Sequence, residues 1–135
     1  MSEEYSVAAH IELTRRLNRI FILWSAIPKP PTLGPHEDMT AILDSAHGAL
    51  EMAHLAPVTS NRLWLNAVEL VEMAQQSIGK FTDDMVDERR LPNVDVLQYA
   101  MAIPGCERLV EAIKDRRDRM TVRNLQMFAN ITHEE

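Results

Sequence analysis

The sequence predicts an all-α bundle of four to five helices with no sheet, and three observations carry that expectation. Trp64, Ala67, Val71, Ala74, Ile78, Phe81 and Met85 are spaced alternately three and four apart, with Val68 beside them, which gathers them on one stripe of a helix. No comparable stretch alternates apolar and polar residues at every second position, as a strand would. The prolines fall between such stripes and not inside them, so they separate elements.

Each element follows from its own pattern. The first helix is expected over 4–27, where Leu13, Leu17, Ile20, Trp24 and Ile27 repeat at helical spacing. Glu3 and Glu4 would sit in its first turn, against the positive end of the dipole. Glu12, Arg16 and Arg19 line an outer face. Pro28 biases Ile27 away from helix. Pro28, Pro30, Pro31, Gly34 and Pro35 make a stiff connector over 28–35. A second helix over 36–55 buries Met39, Ile42, Leu43, Ala46, Leu50 and Ala53. Gly48 in its middle costs roughly 1 kcal/mol against alanine. Pro57 ends that region, and Thr59, Ser60 or Asn61 caps the third helix, 60–88, which Gly79 can kink or interrupt. Asn93 caps a fourth segment, 93–103, holding Val94, Leu97, Tyr99, Ala100, Met101 and Ile103, with Pro92 and Pro104 on either side. The fifth, 105–130, carries Leu109, Val110, Ile113, Met120, Leu125, Met127 and Phe128. Its middle, Lys114-Asp115-Arg116-Arg117-Asp118-Arg119, reads as a solvated turn or rim.

Composition narrows the function classes. The chain has 135 residues, 46% hydrophobic and 25% charged, which suits one ordinary globular domain. The net charge of −6 argues against a dedicated nucleic-acid binder. A single cysteine, Cys106, excludes an intrachain disulfide and fits a cytoplasmic protein. The acidic start is wrong for a signal peptide, and the apolar run 20–27 is too short to span a membrane.

Several residue groups suggest chemistry. His47, Glu51 and His54 fall within roughly 60° of one helix face at about 100° per residue. Imidazole and carboxylate together are ordinary ligands for zinc or iron. Glu51-Met52-Ala53-His54 resembles the Glu-x-x-His element of ferritin-like di-iron bundles, and His47-x-x-x-Glu51 is similar to one piece of hemerythrin. The second Glu-x-x-His and the histidine-rich partner helix of those families are missing from this chain. Glu69-Leu70-Val71-Glu72 pairs two carboxylates at i and i+3, a spacing that can hold Mg²⁺ with a phosphate substrate. It resembles the all-α nucleotide pyrophosphohydrolases of the MazG type, which add an acidic pair on a later helix. Asp95-Val96-Leu97-Gln98-Tyr99 looks like the segment after that pair, but Pro92 stands where the family has an acid. Asp84 and Asp87 are the other candidates for the second pair. Cys106 follows Pro104-Gly105 at an expected helix start, where a thiol pKa can fall, but the sequence supplies no base beside it, so a packed or cap-proximal thiol is expected.

Eight methionines complete the picture. Met52, Met73, Met101 and Met127 lie off or at the edge of the main stripes, and methionine suits adaptable binding surfaces. The expected function is a non-enzymatic interaction module: an adaptor, inhibitor or regulatory subunit working through helix faces on a protein partner. The competing readings are the Mg²⁺-dependent pyrophosphohydrolase and a zinc- or iron-binding bundle. The stripe from Leu13 to Ile27 runs about 21 Å and that from Trp64 to Met85 about 32 Å, more than the shorter helices cover. A homodimer is therefore expected, with the first or third helix at the interface and Trp24 or Trp64 near it. A fifth helix folded back over the excess would leave a monomer instead.

Overall fold

A computed structural model describes residues 5–27, 35–55 and 61–133, with the side chains of 35–38 and 130–133 outside the description. Among the described residues there are helices and no strand. They are α1 (Val7–Ala26), α2 (Pro35–Leu55), α3 (Asn61–Asp87), a 3-10 turn (Val94–Val96) leading into α4 (Leu97–Ala100), and α5 (Glu107–His133). The prolines 28, 30, 31 and 57, with Thr59 and Ser60, lie outside the described residues.

The periodic stripes became the core. Leu13, Leu17, Ile20, Trp24 and Ile27 of α1 are buried against Met39, Leu43, Ala46, Leu50 and Ala53 of α2 and against Trp64, Ala67, Val71, Ala74, Ile78 and Met85 of α3. Phe81 and Ile42 are partly buried at the margin. The Trp24 and Phe81 rings meet edge-on with centroids 4.9 Å apart. α3 is the central element: it packs on α2, α1 and α5.

The ends depart from expectation in informative ways. Ser6, not an acid, begins α1: its hydroxyl accepts from the Ala9 N–H at 3.0 Å, and the first turn holds no carboxylate. Glu3 and Glu4 lie outside the described residues. Ile27 leaves the helix in extended backbone (φ −80°, ψ 128°), as the residue before a proline should. α3 closes with Arg89 in the left-handed region, φ 59°. The Arg90 N–H reaches the Met85 carbonyl at 2.9 Å and the Arg89 N–H reaches that of Val86 at 3.1 Å, a Schellman closure that usually takes glycine.

One expectation is corrected and two open alternatives are decided. The segment 93–103 is not one helix. It is a 3-10 turn and a single turn of α-helix, after which Ala102 and Ile103 bond back only three residues, to Tyr99 and Ala100. Pro104 and Gly105, at φ +102°, leave no room to extend it. Gly79 does not interrupt α3. A Cβ there would meet the Gly105 carbonyl oxygen at 3.2 Å, so its bareness lets the α4–α5 turn close onto the helix. The charged run 114–119 is not a turn, because α5 runs through it without a break.

The two helical glycines make a paired prediction. A Cβ on Gly48 meets nothing within 4 Å, so Gly48→Ala should raise stability by about 0.5–1 kcal/mol and the melting temperature by a few degrees. Gly79→Ala has the same helical gain, but the backbone contact opposes it, and Gly79→Leu should destabilise by about 1–3 kcal/mol through overpacking. Thermal melts of the three variants compare these effects directly.

Candidate functional site

The residue groups that suggested metal chemistry do not converge. His47, Glu51 and His54 stand on the exposed side of α2, and the His54 ring lies 5.2 Å from that of His10 on α1. His10 donates through Nε2 to the Leu50 carbonyl at 2.9 Å, joining the start of α1 to the last turns of α2. Tyr5 packs edge-on to Trp64 at 5.4 Å beside this pair. The rings therefore fill the end of the bundle and leave His47 and Glu51 facing outward. Glu69 and Glu72 are exposed on α3, and Asp84 and Asp87 follow on the same unbroken helix. Glu72 and Asp84 are thus about 18 Å apart along the axis, too far to share one ion. Asp95 stands apart on the 3-10 turn. Among the described residues no three His, Cys, Asp or Glu side chains are placed to hold a metal ion.

Glu72 does line a cleft of about 640 Å³ between α3, α1 and the α4–α5 turn. Arg16 donates to the Gln75 side chain at 2.9 Å there, and Gln75 donates to the Pro104 carbonyl at 3.3 Å. The cleft's cations, Arg16 and Lys80, face its acids, Glu72 and Asp83. Balanced charge and internal hydrogen bonds read as a seam joining α1, α3 and the turn.

The acidic end of α3 is also structural. Asp83, Asp84, Asp87 and Glu88 crowd the negative end of the helix dipole, which opposes them. Arg108 of α5 offsets this, 2.6 Å from Asp87 and 4.0 Å from Asp83, and Arg90 meets Glu88 at 2.7 Å. The hydrogen bond from Arg108 holds the Asp87 carboxyl below its usual range. The Gly105 N–H does the same for Glu107, whose carboxylate it meets at 3.1 and 2.9 Å at the start of α5.

Cys106 is a packed side chain. It is wholly buried between α3 and α5, and desolvation pushes its pKa up, outweighing the opposing contact with Thr82. The Thr82 hydroxyl itself donates to the Gly79 carbonyl at 2.9 Å.

The expected interaction residues divide. Trp24 and Trp64 are only 5% and 4% exposed, so both tryptophans belong to the chain's own core. The Trp64 Nε1 and Thr14 Oγ1 are buried with no hydrogen-bond partner among the described residues. Met52, Met73 and Met101 are exposed, each on a different element, and single exposed apolar residues are ordinary. The concentrated apolar surface lies elsewhere, on the distal half of α5. Leu109 and Ile113 are buried, but every described side chain from Arg117 to Ala129 is exposed. Met120, Val122, Leu125, Met127 and Phe128 are each more than half exposed, Phe128 the most at 71%. The sequence held a signal for this. The core register Cys106, Leu109, Ile113 continues to Arg116 and Arg117, two charged residues that interrupt it before Met120. Arg116 donates to the Leu91 carbonyl at 3.3 Å and to that of Pro92, tying α5 to the body just before its exposed stretch begins.

A second exposed surface runs along α1. Val7, Ile11, Phe21 and Ile22 form a stripe on the side away from the core. Beside it is a groove of about 380 Å³, lined by Leu17, Asn18 and Phe21 of α1 and by Leu43, Asp44 and His47 of α2.

No family model, curated protein or solved structure matches this chain. Among the described residues no helix is long and apolar enough to cross a membrane.

Two outcomes follow from the titratable groups. Cys106 should resist thiol reagents in the native state and react at the rate of unfolding, as a disulfide-exchange assay with and without denaturant will show. Asp87 and Glu107 have lowered folded-state pKa values, so the stability they contribute is present above the ordinary carboxylate range and lost as pH falls through it. Both sites are exposed, so the effect is modest. The double variant Asp87→Asn, Glu107→Gln should flatten the fall in melting temperature from about pH 5 to about pH 2.

Proposed function

We propose that the protein is a non-enzymatic interaction module acting through helix faces, with the distal half of α5 as its contact element. One observation carries this reading: a helix of 27 residues is anchored over its first turns and then presents five large apolar side chains to solvent. A monomer rarely keeps such a patch unless it meets another surface. Methionines at 120 and 127 give that surface side chains that adapt to what they meet. The helix face also supplies cations, Arg119 and Arg123, beside the apolar groups. Among the described residues the competing pyrophosphohydrolase has no converging acids to support it, and the His47, Glu51, His54 metal reading has no assembled ligand set.

Photo-crosslinking in the native host tests the proposal. A crosslinking residue at Met120 or Leu125 should trap protein adducts, whereas one at Glu111, on the anchored part of α5, should trap few. Absence of adducts from the distal positions would overturn the reading. Turnover of nucleoside triphosphates with Mg²⁺, abolished by Glu72→Gln, would replace it with the enzyme.

A further inference from the structure

We infer that the surface meeting distal α5 is a second copy of this chain, with the stem of each copy lying in the α1/α2 groove of the other. The inference rests on the interaction reading above and names its partner. Three features of the molecule point to this occupant.

The first is charge. Beyond the Arg116 tie the stem carries Arg117, Arg119 and Arg123 against Asp118, with Arg117 paired to Asp118 and Arg119 to Asp115, so Arg123 is its least engaged cation. The described side chains of α2 are its complement: Asp44 and Glu51 with no lysine or arginine. Asp44 lines the groove, and Glu51 stands two turns further along the same face. Of the three arginines of α1, Arg15 leans toward Glu12 at 4.0 Å, Arg16 is turned to Gln75 on α3, and Arg19 lies about 100° round the helix from the groove residue Asn18.

The second is length. Beyond the Arg116 tie the stem has 17 residues, 117–133, about 25 Å long, and α1, Val7–Ala26, is about 30 Å long and spans it. A helix strip about 25 Å by 10 Å covers roughly 250 Å². Two stems on two grooves, both sides counted, bury about 1,000 Å², the lower bound for a specific interface, to which contact between the stems adds.

The third is the two-sidedness of the stem. Met120, Arg123 and Met127 share one face, while Val122, Leu125 and Ala129 share the opposite one. A helix apolar on opposite sides fits between two surfaces. The Met–Arg face suits a groove with Phe21 and Leu43 on its walls and Asp44 on its rim. The Val–Leu face then meets the same face of the partner's stem across a two-fold axis, a closed and self-complementary arrangement. Among the described residues α5 packs on α3, α4 and the 3-10 turn, and every described side chain from Arg117 to Ala129 is exposed.

Light scattering with charge reversal tests this. Wild type should run at twice its 15.4 kDa at micromolar concentration. A groove variant, Asp44→Arg with Glu51→Arg, and a stem variant, Arg119→Glu with Arg123→Glu, should each weaken the dimer at least tenfold, with unchanged helical circular dichroism and melting. An equimolar mixture should restore it, because both stem–groove contacts in the mixed dimer again pair opposite charges. A mass of 15.4 kDa throughout the micromolar range overturns the inference. So does a dimer indifferent to the reversals, or a mixture that fails to recover. If the chain is monomeric while Leu125 still crosslinks to a different protein, the interaction reading stands without the second copy. If no distal position crosslinks either, both fall.

Discussion

Ala67 and Ala74 on the core face of α3, and Gly79 about 120° round the helix from Ala67, set how closely the rest of the bundle approaches it. All three residues are buried. Between them Val71 and Ile78 supply bulk, and α1, α2 and α5 pack around the same helix. Gly79 shows the constraint most sharply. Its missing side chain admits the Gly105 carbonyl, and the glycine at φ +102° turns the chain into α5. Cys106, Leu109 and Ile113 then reach the core from the position this turn sets. The entry of α5 is thus fixed by two glycines 26 residues apart in the sequence.

That entry also explains where the core ends. Once α5 leaves α3 at Ile113, its core-facing positions are Arg116 and Arg117, whose charged heads require water or carbonyl oxygens. Arg116 finds the carbonyls of Leu91 and Pro92. Beyond this point the helix continues on its own. A nucleated helix extends at little cost, and the Asp115–Arg119 ion pair at i, i+4 adds slight support. Nothing in the backbone obliges the helix to stop where the packing does.

Strict periodicity was the legible part of the sequence. The α1, α2 and α3 stripes predicted core residues because long stripes admit one solution, a buried helix face. Ser6 was missed as the cap of α1 because two glutamates nearby also suit a helix start. The segment 93–103 was misread as one helix because short apolar runs do not distinguish a helix from a turn packed on the core. The candidate sites were less legible still. Glu69-x-x-Glu72 and His47-x-x-x-Glu51-x-x-His54 have the right local spacing, but a metal site requires donors from a second element, and local spacing does not report what faces it. Trp24 and Trp64 seemed suited to an interface by their size alone, yet the same size makes them the best fillers of a small core.

The distribution of methionine sharpens this contrast. Met39 and Met85 are buried among branched side chains, whereas Met52, Met73, Met101, Met120 and Met127 are exposed. In a well-packed core an unbranched side chain gives up more rotamer freedom than a branched one, so methionine is a costly core residue. On a surface that must order only on contact, the same freedom lets one side chain fit an uneven groove. The stem places two such residues at i and i+7, with an arginine between them on the same face. Apolar area there supplies affinity without direction, and the guanidinium supplies register against a carboxylate. A helix built this way is poorly suited to packing in its own core and well suited to packing against an acidic groove.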